Sequence, residues 1–278
     1  MSDSRLNWAM PVMRAGYAGR ALTYLAIAGL SLWAIWQGGE AQGTSDSLKQ
    51  LETAWWGVTA LVLIGVGLLC YAVWRLLASV ADLEDHGTDG KGIIARTGMI
   101  VTGLIHAAIG GFALMLVIGR GGDSGEGSTI AETTATIMQM PMGDWIIGAG
   151  GLVTLGAGIY YLHKAWTQSY REKLAANHFT AHWNPVLRAG VAAQGVVIAI
   201  VGVFLLIAAW QHDPNEAGGM DKTFDWLSGQ IYGQVLVTAL CAGLLAFALF
   251  LAVNAVYRVI PGLRDPDMPT LAEAMGRA

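Results

Sequence analysis

Six stretches of the chain are almost wholly apolar for the roughly 20 residues a helix needs to cross a hydrocarbon layer. They are residues 18–36, 55–77, 98–118, 145–166, 189–210 and 231–259. Polar, glycine-rich segments separate the first span from the second, the third from the fourth and the fifth from the sixth, at 37–54, 119–144 and 211–230. Longer charged links lie between, at 78–97 and 167–188. The pattern predicts three helical hairpins joined by two linkers.

The hairpins share an opening. Arg14-Ala15-Gly16-Tyr17-Ala18-Gly19-Arg20 leads into the first span, Arg96-Thr97-Gly98 into the third and Arg188-Ala189-Gly190 into the fifth, at offsets of 82 and 92 residues. One unit used three times is the simplest reading of a fixed motif at near-constant period. The expected fold is an all-α membrane protein of six transmembrane helices, arranged as three tandem two-helix repeats with approximate internal threefold symmetry. A single membrane domain is expected over 1–278, with repeats at about 11–80, 93–166 and 185–259.

Arg14-Ala15-Gly16-Tyr17-Ala18-Gly19-Arg20-Ala21-Leu22-Thr23-Tyr24, together with a second span ending Tyr71-Ala72-Val73-Trp74-Arg75-Leu76, resembles the bacterial domain-of-unknown-function 1206 (DUF1206) family. The resemblance covers nearly the whole chain and implies membrane proteins of three tandem two-helix repeats. It is best in the first repeat. In the second, Met99 and Ile100 replace the Tyr-Ala pair, and in the third Val191, Gln194 and Ile198 replace Tyr, Arg and Tyr. The family carries no assigned activity, so the resemblance implies architecture and not mechanism.

Composition agrees with lipid as the main solvent. Of the residues 54% are hydrophobic and 13% charged, with mean hydropathy +0.50, against about 25% charged in soluble domains. Cys70 and Cys241 fall within apolar runs and suggest neither a disulfide framework nor a metal motif. The polar N-terminus, followed by a long apolar run without a small-residue cleavage site, predicts an uncleaved first span.

Thirteen of the 16 lysines and arginines fall on one side of the predicted spans, and only Lys49, Arg120 and Lys222 on the other. The positive-inside rule then places both termini and both linkers in the bacterial cytoplasm and the three hairpin loops outside. Tryptophans support two interfacial belts, with Trp33, Trp36, Trp55, Trp145 and Trp210 at the outer ends and Trp8, Trp74, Trp166 and Trp183 at the inner ends.

Candidate chemistry is sparse. Arg14, Arg96 and Arg188 stand at one level near the inner surface, as a basic ring for anionic lipid or an acidic partner, or as plain snorkelling anchors. Deeper, Arg20, Thr102 and Gln194 occupy equivalent positions, and His106 replaces Tyr24 near the bilayer centre. These four make either a pseudo-symmetric polar cluster or ordinary interhelical packing. His163 lies roughly 13 Å nearer the surface than His106 by the helical rise, too far for one haem. His178 and His182 lack the further ligands of a metal site. Abundant span glycines predict close helix packing, with 148–151 and 156–158 as a softer stretch. With no phosphate loop, catalytic triad or carboxylate pair, the expectation is a protein that is not an enzyme, has no cofactor and binds no nucleic acid. Its expected partners are membrane lipids, anionic ones included, or a membrane complex. The alternative is a small-solute or proton transporter or channel. Protease added to the inner face of oriented vesicles is expected to cut at 82–91 and at 171–182, and protection of both segments would reverse the orientation.

Overall fold

The computed structural model describes residues 8–119, 126–260 and 269–276. Arg5, Arg120, Asp123, Arg264 and Arg277, which contribute to the charge pattern, lie outside them. Six long helices carry the apolar runs: α1 (Ala9–Trp36), α3 (Gly57–Val80), α4 (Gly90–Val117), α6 (Gly143–Thr167), α8 (Asn184–Gln211) and α10 (Gly233–Tyr257). All are long and apolar enough to span a bilayer, so the chain is a multi-pass membrane protein. Four begin earlier than their apolar runs, α1, α4 and α8 by five residues or more, because hydropathy marks the hydrocarbon and not the helix. α4 starts where the Asp89 side chain accepts from the Gly92 N–H, and α8 carries Pro185 in its first turn, where no donor is lost.

Each of the polar, glycine-rich hairpin loops contains a short helix that hydropathy does not mark: α2 (Thr44–Glu52), α5 (Glu126–Met138) and α9 (Met220–Ser228). Their apolar faces are narrow, Leu48 and Leu51 in α2 and Met220, Phe224 and Leu227 in α9, and all five residues are buried. Flanking glycines and charges hide these faces from a hydropathy reading. The repeating unit is therefore span, short helix, span. The three short helices gather at the loop end of the bundle and touch one another there.

The second linker is also folded. After α6 a 3-10 turn (Ser169–Lys173) leads into the bridges Leu174 to Arg258 and Ala175 to Thr270, then α7 (His178–His182). The C-terminal α11 (Leu271–Ala274), capped by Thr270 and Glu273, closes onto it with Leu271 N–H donating to the Leu174 carbonyl. Cleavage within 171–182 is thereby disfavoured, which leaves exposed residues 87–91 as the accessible cut.

The spans form an open ring in the packing order α4, α3, α1, α10, α8, α6. Apolar burial cannot pull helices together inside lipid, so close backbone approach does the work. A Cβ on Gly19 would lie 2.5 Å from the Gly67 backbone, and one on Gly158 would lie 2.5 Å from Ala199. Such contacts join α1, α3 and α4 into one arc and α6, α8 and α10 into another. The arcs meet through side chains where α1 packs on α10, with Tyr24 edge-on to Phe247 at 4.9 Å and Ile27 and Ala28 against Cys241 and Leu244. α4 and α6, the two spans of the second repeat, share no such interface. They are the most exposed spans, with 22% and 17% of their most apolar stretches buried against 39% to 50% for the others.

Of the tryptophans expected at the outer ends, Trp36, Trp55 and Trp210 are 80% or more exposed. Trp74 departs from its belt. It is fully buried in the cluster holding Tyr17, Tyr71 and Met99, because its position on α3 faces α1 and the ring interior.

At the end of the bundle that carries the termini, Glu84 accepts from Lys173 Nζ through one oxygen and from the Arg258 guanidinium, at 2.6 Å, through the other. Each of these three residues follows the second span of a different repeat. Burial alone would raise the Glu84 carboxyl, but Arg258 and Lys173 outweigh it and hold the group well below the usual carboxylate range. A carboxyl depressed on folding stabilises the protein above its unfolded value, about 4.3, and loses that contribution as pH falls through the lower folded value. Glu84→Gln is expected to destabilise the protein by about 3 kcal/mol at neutral pH. Thermal unfolding in detergent should show that loss, and the gap from the wild type should begin to close as pH falls below about 4.3 and go on closing towards the lower folded value.

Candidate functional site

The interior of the ring is polar towards the termini end. Arg20, one turn below Tyr24 on α1, is 5% exposed and its guanidinium donates to the Tyr71 hydroxyl at 2.9 Å, with the charge 4.5 Å from the Tyr71 ring centre. Arg75, one turn beyond Tyr71 on α3, stands 5.9 Å from the same ring. On α6 the Lys164 ammonium lies 5.7 Å from the Tyr161 ring, and Tyr161 is close enough to act electrostatically on both arginines. Guanidinium and ammonium over a tyrosine face gain about 0.5–2 kcal/mol each. That is a partial offset for charge removed from water.

Next to this cluster lies a cavity of about 40 Å³ lined by Arg20, Thr23, Tyr24 and Ile27 of α1, Leu68 of α3 and His106 and Ile109 of α4, with Thr44 and Met220 of the short helices at the loop end. His106 Nδ1 is 2.7 Å from the Thr102 carbonyl oxygen, and its ring meets Tyr71 edge-on at 4.8 Å. A carbonyl can only accept, so Nδ1 carries the proton and Nε2 is the nitrogen left to face a ligand.

The four residues of the expected polar cluster divide. Arg20 and His106 meet in the cavity, whereas Gln194, 6% exposed, is buried outside its lining with its Oε1 unpartnered. Thr102 turns its hydroxyl to the Gly98 carbonyl of its own helix and contributes by fixing the His106 ring. The basic ring also divides. Arg96 donates to the carbonyls of Ser79 and Val80 at the end of α3, and Arg188 to that of Ala165 near the end of α6. Each satisfies carbonyls that a helix end leaves open, so the opening arginine of one repeat closes the last span of the repeat before. Arg14 is exposed. His178 and His182 stack at 6.1 Å on α7, and among the described residues no group of three metal-binding side chains occurs.

Sequence reasoning overlooked Arg75 and Lys164. They stand 89 residues apart, the same separation as Glu84 and Lys173, and that recurrence of a cation near the end of the second span was the signal available.

The DUF1206 family model, a domain of unknown function, matches three consecutive segments, residues 15–82, 97–168 and 189–258. The chain belongs to the DUF1206 family. Each segment begins with the first span of one repeat and ends just past the second, so the DUF1206 unit is the span, short helix, span element described above. The uncharacterized protein YxxB of Bacillus subtilis (strain 168) is 24% identical over 256 residues, covering 90% of this chain and 92% of that protein. No solved structure matches.

The His106 hydrogen bond is made within its own helix, so it joins no two spans. His106→Phe keeps the edge contact with Tyr71 and is expected to shift stability by no more than about 1 kcal/mol, the worth of one hydrogen bond. Thermal unfolding of the variant in detergent checks this. A drop several times larger would mean that the ring's polar edge holds the helices together.

Proposed function

We propose that this protein is a non-catalytic component of the bacterial cytoplasmic membrane, with both termini cytoplasmic, that binds a lipid through the opening between α4 and α6. The observation that carries the reading is the missing interface in the second repeat. Every other pair of neighbouring spans in the ring is packed, and a bilayer fills any lateral gap with its own molecules. On the α4 side, between α1, α3 and α4, lies the cavity with the polar atoms of Arg20, Tyr24 and His106 at one end and Ile27, Leu68 and Ile109 beyond them. A cavity this small encloses no lipid, which would instead lie in the opening itself, with headgroup atoms reaching the polar end and its chain passing the apolar one.

Transport is the weaker reading. Arg20, Gln194 and His106 would line a path, but Leu68, Ile109 and Met220 follow them towards the loop end, where a conducted ion would need continuous polar partners.

Native mass spectrometry of protein extracted in a mild detergent tests lipid binding. The wild type is expected to retain lipid, and Ile109→Trp, which fills the cavity with an indole, to lose most of it while eluting as the same folded species. Lipid-free wild type, or undiminished lipid on the variant, would overturn the proposal. A stoichiometric protein complex recovered in the same extraction would identify the accessory role of such a lipid-binding subunit.

A further inference from the structure

We propose that Arg20, Arg75 and Lys164 form a receptor for the phosphate group of an anionic amphiphile. Its route of entry rests on the lipid-binding reading above, whereas its chemistry does not. Arg75, Lys164, Lys173 and Arg258 all interact electrostatically with Glu84 at the termini end of the ring, and Arg20 shares the Tyr71 ring with Arg75. Both Glu84 oxygens are already held, one by Lys173 and one by Arg258. Arg20, Arg75 and Lys164 therefore have aromatic faces and a tyrosine hydroxyl as neighbours, with no carboxylate in ion-pair contact among the described residues.

Neighbouring like charges repel where water is scarce, and a cation–π contact offsets only part of that. Donor geometry carries the argument further. Arg20 uses one terminal nitrogen on Tyr71, while its Nε, on a side chain 95% removed from solvent, has no hydrogen-bond partner. The Arg75 Nε is buried and without a partner in the same way. Two guanidinium groups with unused edges and an ammonium form a set of separate donors that suits the tetrahedral oxygens of phosphate better than one planar carboxylate.

Depth agrees with a headgroup. Arg75 lies five residues before the end of α3 at Val80, and Lys164 three before the end of α6 at Thr167, or roughly 5–8 Å along each helix. A phospholipid entering between α4 and α6 would carry its phosphate at the level of Arg75 and Lys164, with Arg20, 11 residues into α1, meeting it from deeper in the bundle, and its chains towards Ile109. Lys164 stands on one flank of that opening and His106 on the other.

Lipid phosphate and free phosphate share the chemistry, so the test has two arms. Protein in zwitterionic phosphatidylcholine discs is titrated with phosphatidylglycerol, and separately with inorganic phosphate, while native mass spectrometry and thermal unfolding are read. Phosphatidylglycerol is expected to be retained at least tenfold over phosphatidylcholine. Arg75→Gln and Lys164→Gln, at less buried positions, should each reduce that preference roughly tenfold, the worth of one charged hydrogen bond. Arg20→Lys keeps the charge of the fully buried position and should weaken retention less than Arg20→Gln. Equal retention of both lipids, or an undiminished preference in the Arg75 and Lys164 variants, would overturn the receptor while leaving lipid binding intact. Stabilisation by inorganic phosphate that these variants abolish, in protein retaining no lipid, would support the phosphate site with an aqueous source and remove the lipid reading instead.

Discussion

The ion triad of Glu84 with Lys173 and Arg258 is the contact on which the architecture depends. Glu84 and Arg258 are 174 residues apart, the same offset as between the opening arginines of the first and third repeats, Arg14 and Arg188. The three residues that follow the three second spans thus converge on one point, and the internal symmetry passes through it. A buried carboxylate with a single cation would barely offset its desolvation. With two it is held ionised, and the chain ends of three repeats are drawn to one place.

Around that anchor the repeats are alike in sequence pattern and unlike in packing. The first and third fold as hairpins, α1 on α3 and α8 on α10. The second is drawn apart, because α4 is committed to α3 through Gly65, Gly103 and Gly110, and α6 to α8 through Gly151 and Gly158. Glycine decides the partner of each helix by deciding where backbones can approach. The softer stretch expected on α6 is thereby split in use: Gly151 and Gly158 face α8, while Gly150 and Gly156 meet nothing within 4 Å.

The spans and the triplication were legible because each depends on local pattern, a run of apolar residues or an Arg-x-Gly opening. The short helices were not, since a buried face of two or three residues such as Leu48 and Leu51 falls below what hydropathy can register. Of the interior site, Arg20, Gln194 and His106 could be read by aligning the repeats. Arg75 and Lys164 could not be told from interfacial anchors, because only tertiary structure turns their side chains inward. The roles of Arg96 and Arg188 were equally hidden, as a helix-capping arginine and a lipid-binding one have the same place in the chain.

A ring that is cut once behaves mechanically like a split washer. Twisting or shearing it strains every glycine contact around the arcs, whereas spreading the cut breaks none. The flanking helices α4 and α6 are tied at the loop end by the segment that carries α5, and at the other end by the Glu84–Lys173 ion pair between the residues that precede α4 and those that follow α6. Between those two ties no helix packing opposes a change in the width of the seam.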